Sequence, residues 1–241
     1  MIEVDLIKKH GKKALGMEEH GHRKQTWRQR LPEILLEIGI IVFAVTLSIQ
    51  LHAWHERALD REAERHFLVG LRTDLQNDLR ELRNDSISYV RTKRNFKYLL
   101  SINPATTHLD SIKRRTFGLY NRTNLVPNIS RFEGFKSSGR LTVIQDDELL
   151  NAILDYYQEM IPILLSLTND FTAYKVERIQ TYLEDHVTYS DSNLPSIISS
   201  DRMKRSLSKE NQITEIIEKY HEVMQESRDI IKMIDKSLGA K

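Results

Sequence analysis

A single carboxylate lies inside the most apolar stretch of this chain. Residues 35–51 read LLEIGIIVFAVTLSIQL; eleven of these 17 residues are Leu, Ile, Val or Phe, and Glu37 is the only ionisable one. A carboxylate in an apolar span is costly unless it is paired, hydrated or protonated, so Glu37 is a candidate for loading and releasing protons against a partner channel. The plainer alternative is that Glu37, one turn after Glu33, reaches a hydrated headgroup region. Gln50, near the other end, is a candidate for hydrogen bonding to a neighbouring helix.

Two further groups of residues have spacings that metal or catalytic sites use. His52, His55 and Glu56 lie on one side of a helix. Two imidazoles without a third strong ligand indicate a polar collar at a membrane interface rather than a metal site. Ser206 and Lys209 match the serine–lysine spacing of penicillin-recognising enzymes, but the companion motifs of those enzymes are missing from the sequence.

A fourth candidate is the run Ser137, Ser138, Gly139 and Arg140. Successive backbone N–H groups in such a run can form an anion-binding nest, with the arginine beside it. The simpler interpretation is a turn in which glycine supplies a positive φ. The sequence contains no nucleophile elbow, phosphate loop or zinc-protease helix. It therefore predicts a protein that is not an enzyme and that binds no cofactor or metal.

The apolar stretch predicts a transmembrane helix over residues 31–54. Its eleven large apolar side chains together favour the membrane by about 5 kcal/mol, which one glutamate near the end of the span does not overturn. The only two tryptophans, Trp27 and Trp54, flank it and are the expected interface anchors. A cleaved signal peptide is disfavoured because 30 polar residues precede the apolar core and no convincing small-residue cleavage site follows it. A buried core helix is disfavoured because residues 38–45 have no polar face.

The distribution of charge predicts the orientation of this helix. Residues 1–30 hold eight Lys or Arg and four acidic residues, whereas only Arg57, Arg61 and Arg65 lie close to the span on its other side. The positive-inside rule therefore places a short basic segment, residues 1–30, in the cytoplasm and residues 55–241 outside it. The expected location is a bacterial inner membrane, with the larger part in the periplasm. The complete lack of cysteine is compatible with that compartment.

The remaining sequence predicts helices and almost no strands. Beyond the span an apolar residue recurs every seven positions, which indicates that the membrane helix continues as a stalk: Leu68, Leu75, Leu82, Tyr89 and Phe96. Pro162 should kink or interrupt a second helical block that resumes after Asp146 and Asp147. The last helix shows alternating steps of four and three, at Ile213, Ile217, Tyr220, Met224, Ser227, Ile231, Ile234 and Leu238. The predicted fold is all-α, with an antiparallel helical bundle outside the membrane and a mobile loop at 187–208.

Two segments resemble a family of uncharacterised single-pass membrane proteins of Bacteroidota. The first is an apolar helix that begins at a glutamate and ends in a Leu-Gln, aromatic and acidic pattern; its matching residues are Glu37, Gln50, Trp54 and Glu56. The second runs from Phe132 to Tyr157 and contains the Ser-Ser-Gly turn and the Tyr-Tyr pair. The chain departs from the family where asparagines are usual, at His52, Ala53 and His55. The resemblance implies a membrane-anchored architecture, and the family has no established activity to transfer.

These observations favour a non-enzymatic module that senses, scaffolds or binds a partner from its membrane anchor. The alternative is an accessory subunit of a transport or proton-driven complex, in which Glu37 is the working residue. The expected partners are the lipid bilayer and either further copies of the chain or another membrane protein. Nucleic-acid binding is disfavoured, because acidic residues are interspersed among the basic N-terminal ones and topology already accounts for their charge.

Overall fold

A computed structural model describes the backbone of residues 27–239 and the side chains of residues 35–239. Every regular element in that part of the chain is helical, which confirms the predicted all-α class. The chain divides into two compact units, Met1–Ala58 and Leu59–Lys241, and each is considered by itself. The predicted cytoplasmic segment 1–30 lies almost entirely outside the described residues.

Nine α-helices follow one another in the described part of the chain. They are α1 Trp27–Leu100, α2 Leu109–Phe117, α3 Ser130–Ser137, α4 Asp147–Asp155, α5 Ile161–Lys175, α6 Thr181–His186, α7 Leu194–Ile198, α8 Asp201–Leu207 and α9 Glu210–Ser237. Short 3₁₀ turns follow α2 and precede α4, at Gly118–Tyr120 and Arg140–Val143. Helix α1 ends at Leu100, and a connection without regular structure, residues 101–108, leads to α2.

The apolar stripe of α1 is covered by other helices of the same chain. All five residues at intervals of seven, from Leu68 to Phe96, are at most 3% exposed and belong to one continuous core. A second set of positions, three residues after each residue of the stripe, also recurs at intervals of seven. It is apolar only at its two ends, Leu71 and Leu99, and polar in between, at Asp78, Asp85 and Thr92. A two-stranded coiled coil would place apolar residues there, so these acids mark a different packing arrangement.

An extended segment, residues 121–129, lies between α1 and α5. It has no sheet partner, and side chains of the two helices bind its backbone instead. The Asp78 carboxylate accepts hydrogen bonds from the backbone and side-chain nitrogens of Asn128, at 3.1 and 2.6 Å. Glu81 accepts from the Val126 N–H at 3.0 Å, and the Tyr89 hydroxyl donates to the carbonyl of Thr123 at 3.1 Å. The bonds to Asn128 account for Asp78, one of the polar residues at the companion positions of the stripe.

Helices α4, α5 and α6 form one continuous rod joined by two π-helical turns, Tyr156–Met160 and Val176–Gln180. The first π turn ends just before the start of α5, where Pro162 occupies the first turn. A proline in a regular helix clashes with the carbonyl four residues before it and lacks an N–H to donate. The wider π turn absorbs that conflict, so the predicted disruption at Pro162 is a local change of helix type.

Helix α9 runs antiparallel to α1 along its length. Arg72 pairs with Asp235 at 2.7 Å, the Tyr220 hydroxyl donates to Asp85 at 3.3 Å, and Lys93 donates to Thr214 at 2.7 Å. Along these three contacts the residue numbers rise on α1 and fall on α9, as an antiparallel pair requires.

The rod α4–α6 runs parallel to α1, since the Gln145 N–H just before it donates to Glu64 at 2.9 Å while Phe171 packs near Phe96 with ring centroids 6.1 Å apart. The predicted antiparallel bundle is therefore wrong for this pair of helices. The reason is that the extended segment 121–129 carries the chain back along α1 before the rod begins.

The loop predicted over residues 187–208 is also corrected. It contains α7 and α8, and four of its apolar side chains are buried: Leu194, Ile198, Met203 and Leu207. The Ser, Asp and Asn residues that suggested a loop act as turn and capping residues. Ser200 accepts a hydrogen bond from the Met203 N–H at the start of α8, and Asn193 accepts one from the Thr188 N–H.

Candidate functional site

The apolar stretch of α1 is exposed throughout. Its eleven large apolar residues, from Leu35 to Leu51, are each 46–68% exposed. The most apolar window of 18 residues has a mean hydropathy of 1.9, none of it is buried, and no other helix within residues 27–239 is long and apolar enough to cross a membrane. Thr46 and Ser48 donate their hydroxyl hydrogens to the carbonyls four residues earlier, at 2.7 and 2.9 Å. The segment thus presents an apolar surface with its hydroxyl groups already satisfied.

The predicted polar residues of this first unit lie on the exposed surface of the helix. Glu37, Gln50 and Trp54 are exposed, and neither Glu37 nor Gln50 forms a side-chain bond with another described residue. The Nε2 atom of His52 lies 3.3 Å from the Oε1 atom of Glu56, one helical turn later. The side chain of Trp27 lies outside the described residues.

The run Ser137–Arg140 forms a turn in the second unit. Gly139 has a φ of 72°, the left-handed conformation that glycine adopts at no steric cost. The hydroxyls of Ser137 and Ser138 donate to the carbonyls of Gly134 and Phe135, at 3.1 and 2.8 Å. Both hydroxyl hydrogens therefore complete the end of α3. Ser138 and Arg140 also line a groove that the sequence did not predict.

This arginine groove lies between α3 and the first turns of α1 in the second unit, and its volume is about 640 Å³. It is lined by Leu59, Glu62, Ala63, His66, Phe67, Arg131, Gly134, Phe135, Ser138 and Arg140. Its lining includes two guanidinium groups, one imidazole and one carboxylate, that of Glu62, and Asp74 pairs with Arg131 beside them. The groove therefore places several hydrogen-bond donors next to an apolar wall.

Arg131 is held in the groove by a glycine and an aspartate. A Cβ atom at Gly70 would clash with the guanidinium, so Arg131 crosses α1 at a position where a side chain is missing. Its Nε donates to Asp74 Oδ2 at 2.7 Å. No hydrogen bond joins its two terminal nitrogens to another residue of the part of the chain that the structure describes. The guanidinium therefore keeps N–H donors for a further acceptor.

Stacked aromatic rings fix α3 against its neighbours. The Phe67 and Phe135 rings lie 4.0 Å apart between centroids and are inclined by 11°, and the Phe132 and Tyr157 rings lie 4.6 Å apart at 12°. Such pairs add about 0.5–1.5 kcal/mol to the burial of the rings themselves. The two stacks pack α3 against both α1 and the rod.

The site therefore combines predicted and unpredicted residues. Ser138 and Arg140 came from the sequence, whereas His66, Phe67 and Arg131 did not. The available signal was Gly70, one of only two glycines between Pro32 and Ile102, since a glycine inside a long helix often marks a close approach of another group.

Comparison of the chain with protein-family models, with curated proteins and with solved structures found no match.

Proposed function

We propose that this chain is a single-pass membrane protein whose helical domain binds a partner or ligand without catalysing a reaction. Residues 31–54 span a bacterial inner membrane, residues 1–30 lie in the cytoplasm and residues 55–241 lie in the periplasm. We also propose membership in the Bacteroidota family that the two segments resemble. The domain acts as a sensor or scaffold held at the membrane surface.

The observation that carries this proposal is the contrast between the two apolar surfaces of α1. The stripe from Leu68 to Phe96 is buried by the chain itself, whereas all eleven large apolar residues between Leu35 and Leu51 are exposed. An exposed apolar surface that encircles a helix is stable in a bilayer and is not stable in water. Transfer into the membrane favours this segment by about 5 kcal/mol.

The arginine groove supports a binding role for the second unit. It joins a held guanidinium, that of Arg131, to an apolar wall that contains Phe135. A concave site with a few positioned polar groups on an apolar surface is typical of ligand sites.

The second candidate function is an accessory subunit of a transport or proton-driven complex. It is favoured by the exposed position of Glu37 in the apolar segment, where the carboxylate has no ion-pair partner among residues 35–239, whose side chains the structure describes. A partner helix that covers Gln50 and Glu37 would supply the missing polar contacts.

One experiment separates the two functions. The full chain is extracted from its membrane in mild detergent, and the mass and composition of the particle are determined for the wild type and for Glu37→Gln. We expect the protein alone or as a homo-oligomer, unchanged by the substitution. Co-isolation with a polytopic membrane protein, with loss of that complex's activity in Glu37→Gln, would establish the accessory-subunit function instead. Recovery of the chain without membranes would overturn both.

A further inference from the structure

We infer that the arginine groove binds the phosphate group of a phospholipid from the same bilayer. This inference rests on the proposed membrane anchor for the source of the phosphate. The binding of a phosphate group itself is inferred from the geometry of the groove alone.

The first support is the set of donors around the groove. Arg131 uses its Nε for Asp74, and no hydrogen bond joins its terminal nitrogens to another described residue. Arg140, which also lines the groove, forms no ion pair with any residue from 35 to 239. Guanidinium groups bind phosphate oxygens in a bidentate manner, and pairs of them are common in phosphate sites. The imidazole of His66 adds a further donor, while Glu62 is the one acid on the lining.

The second support is that the position of Arg131 is prepared before any ligand arrives. Gly70 provides the space for its guanidinium, and Asp74 fixes its orientation. A glycine in a helix interior costs about 0.5–1 kcal/mol relative to alanine. An alanine at position 70 would avoid this cost but would displace the guanidinium of Arg131. The glycine is therefore explained by the position of that guanidinium. Binding groups that are held in place lose little freedom when a ligand binds.

The third support is the apolar wall beside the donors. Leu59, Ala63, Phe67 and Phe135 line the same groove as the two arginines. Inorganic phosphate has no apolar atoms that could contact this wall, whereas a phospholipid carries glycerol and acyl carbons next to its phosphate. The groove therefore fits an amphipathic anion.

The fourth support is the short chain between the groove and the proposed membrane interface. Leu59 follows Trp54 by five residues. Five residues span at most about 18 Å in any conformation. Phospholipid phosphates are concentrated at that interface, and basic pockets next to membrane spans bind lipid headgroups. An acidic segment of a partner protein would carry the same negative charge as a phosphate, but it is not concentrated at the interface as phospholipids are.

The test uses the full chain, purified from its membrane in mild detergent, with retained phospholipid counted by native mass spectrometry. We expect the wild type to retain phospholipid and the double variant Arg131→Gln with Arg140→Gln to retain about tenfold less, as the loss of charge-assisted hydrogen bonds requires. The matched control is Arg83→Gln with Arg228→Gln, because these arginines line a different groove between α1 and α9. The control removes the same charge and should retain as much phospholipid as the wild type.

A third variant tests the position of Arg131 without removing it. Gly70→Ala places a methyl group where the guanidinium lies, while alanine favours the helix. We expect normal helix content by circular dichroism and several-fold weaker phospholipid retention. A Gly70→Ala protein that retains phospholipid as the wild type does would show that the position of Arg131 is irrelevant to binding.

A second arm identifies the source of the phosphate. Delipidated protein is titrated with inorganic phosphate at constant ionic strength, with chloride as the reference, and the thermal midpoint is followed. A midpoint that rises only in the wild type and the control pair, without retained lipid, would assign the groove to free phosphate and overturn the lipid source. No response in either arm would overturn the phosphate site altogether. Failure of the chain to partition into membranes would refute the anchor, and the free-phosphate arm would still report on the groove.

Discussion

At the scale of single residues, the acids within the apolar stripe of α1 explain the packing of this domain. Burial raises the pKa of Asp78, and the two hydrogen bonds from Asn128 offset part of that effect. Burial also raises the pKa of Asp85 to about 6, against the hydrogen bond from Tyr220, and the charge of Glu81 adds to the rise. Asp78 binds the extended segment and Asp85 binds α9, so each acid specifies one neighbour of α1.

Asp85 gives the domain a pH-dependent stability. The native state holds a proton on Asp85 up to a pH of about 6, whereas the unfolded chain releases it near its usual pKa of 3.8. The free energy of unfolding should therefore fall as the pH rises from 4 to 6, and stay level above that range. For this half-buried carboxylate, solvent screening reduces the expected loss to about 1 kcal/mol.

Urea unfolding of the full chain in detergent at pH 4.5 and pH 7.5 checks this expectation. Asp85→Asn cannot ionise and still accepts the hydrogen bond from Tyr220. Its free energy of unfolding, relative to the wild type, should be about 1 kcal/mol higher at pH 7.5 than at pH 4.5. An equal difference at the two pH values would show that Asp85 is not the titrating group.

At the scale of elements, the last helix shows how far a periodic pattern can be trusted. Ile213, Tyr220, Ser227 and Ile234 were predicted on its packed face and are fully buried. Ile217 and Ile231 were predicted there as well and are only half-buried. The structure buries Ile216, Val223 and Ile230 in their place. A helix that packs against two neighbours has its buried face centred between them, which a pattern drawn for one partner does not reproduce.

Neighbouring isoleucines test this assignment. Ile216→Ala removes a side chain that is 0% exposed, and should lower the free energy of unfolding by about 3 kcal/mol. Ile217→Ala removes the same atoms from a half-buried position and should cost about 1 kcal/mol. Urea unfolding at one pH compares the two variants directly. A cost for Ile217→Ala that equals or exceeds the cost for Ile216→Ala would contradict this assignment, and a larger one would mean that the face predicted from the spacing is the one that packs.

Features of the fold that depend on nearby residues could be predicted from the sequence, whereas features that depend on distant residues could not. The helix type and the turn at Gly139 depend on neighbours in the sequence, and the sequence predicted them. It also predicted a helix that resumes after Asp146 and Asp147, and the structure shows that Asp146 is the N-terminal cap of that helix. The parallel course of the rod depends on the extended segment 121–129, whose partners are Asp78, Glu81 and Tyr89 on a helix some 35–50 residues earlier. Of the groove, Ser138 and Arg140 were predicted from their turn, whereas the role of Arg131 becomes visible only when Gly70 is placed beneath it.

At the scale of the whole molecule, the proposed orientation can be tested with single cysteines, because the chain has none of its own. Glu215→Cys lies on the exposed surface of α9, and Lys13→Cys lies in the basic segment before the span. In intact cells with a permeabilised outer membrane, a maleimide that cannot cross the inner membrane should label Glu215→Cys only. Lys13→Cys should react only after the inner membrane is opened. The reverse pattern would invert the topology.

The pairing of α1 with α9 also has a consequence for the order in which the protein is made. Arg72 and its partner Asp235 are separated by more than 160 residues, and the contacts of Asp85 and Lys93 reach equally late parts of the chain. A ribosome completes the apolar stripe of α1 long before it makes α9, the last of the elements that cover it. Translation at about 5–20 residues per second leaves the side of the stripe that α9 covers exposed for several seconds or more. During this interval the exposed apolar surface is open to wrong associations, and a truncation that removes α9 would leave it exposed permanently.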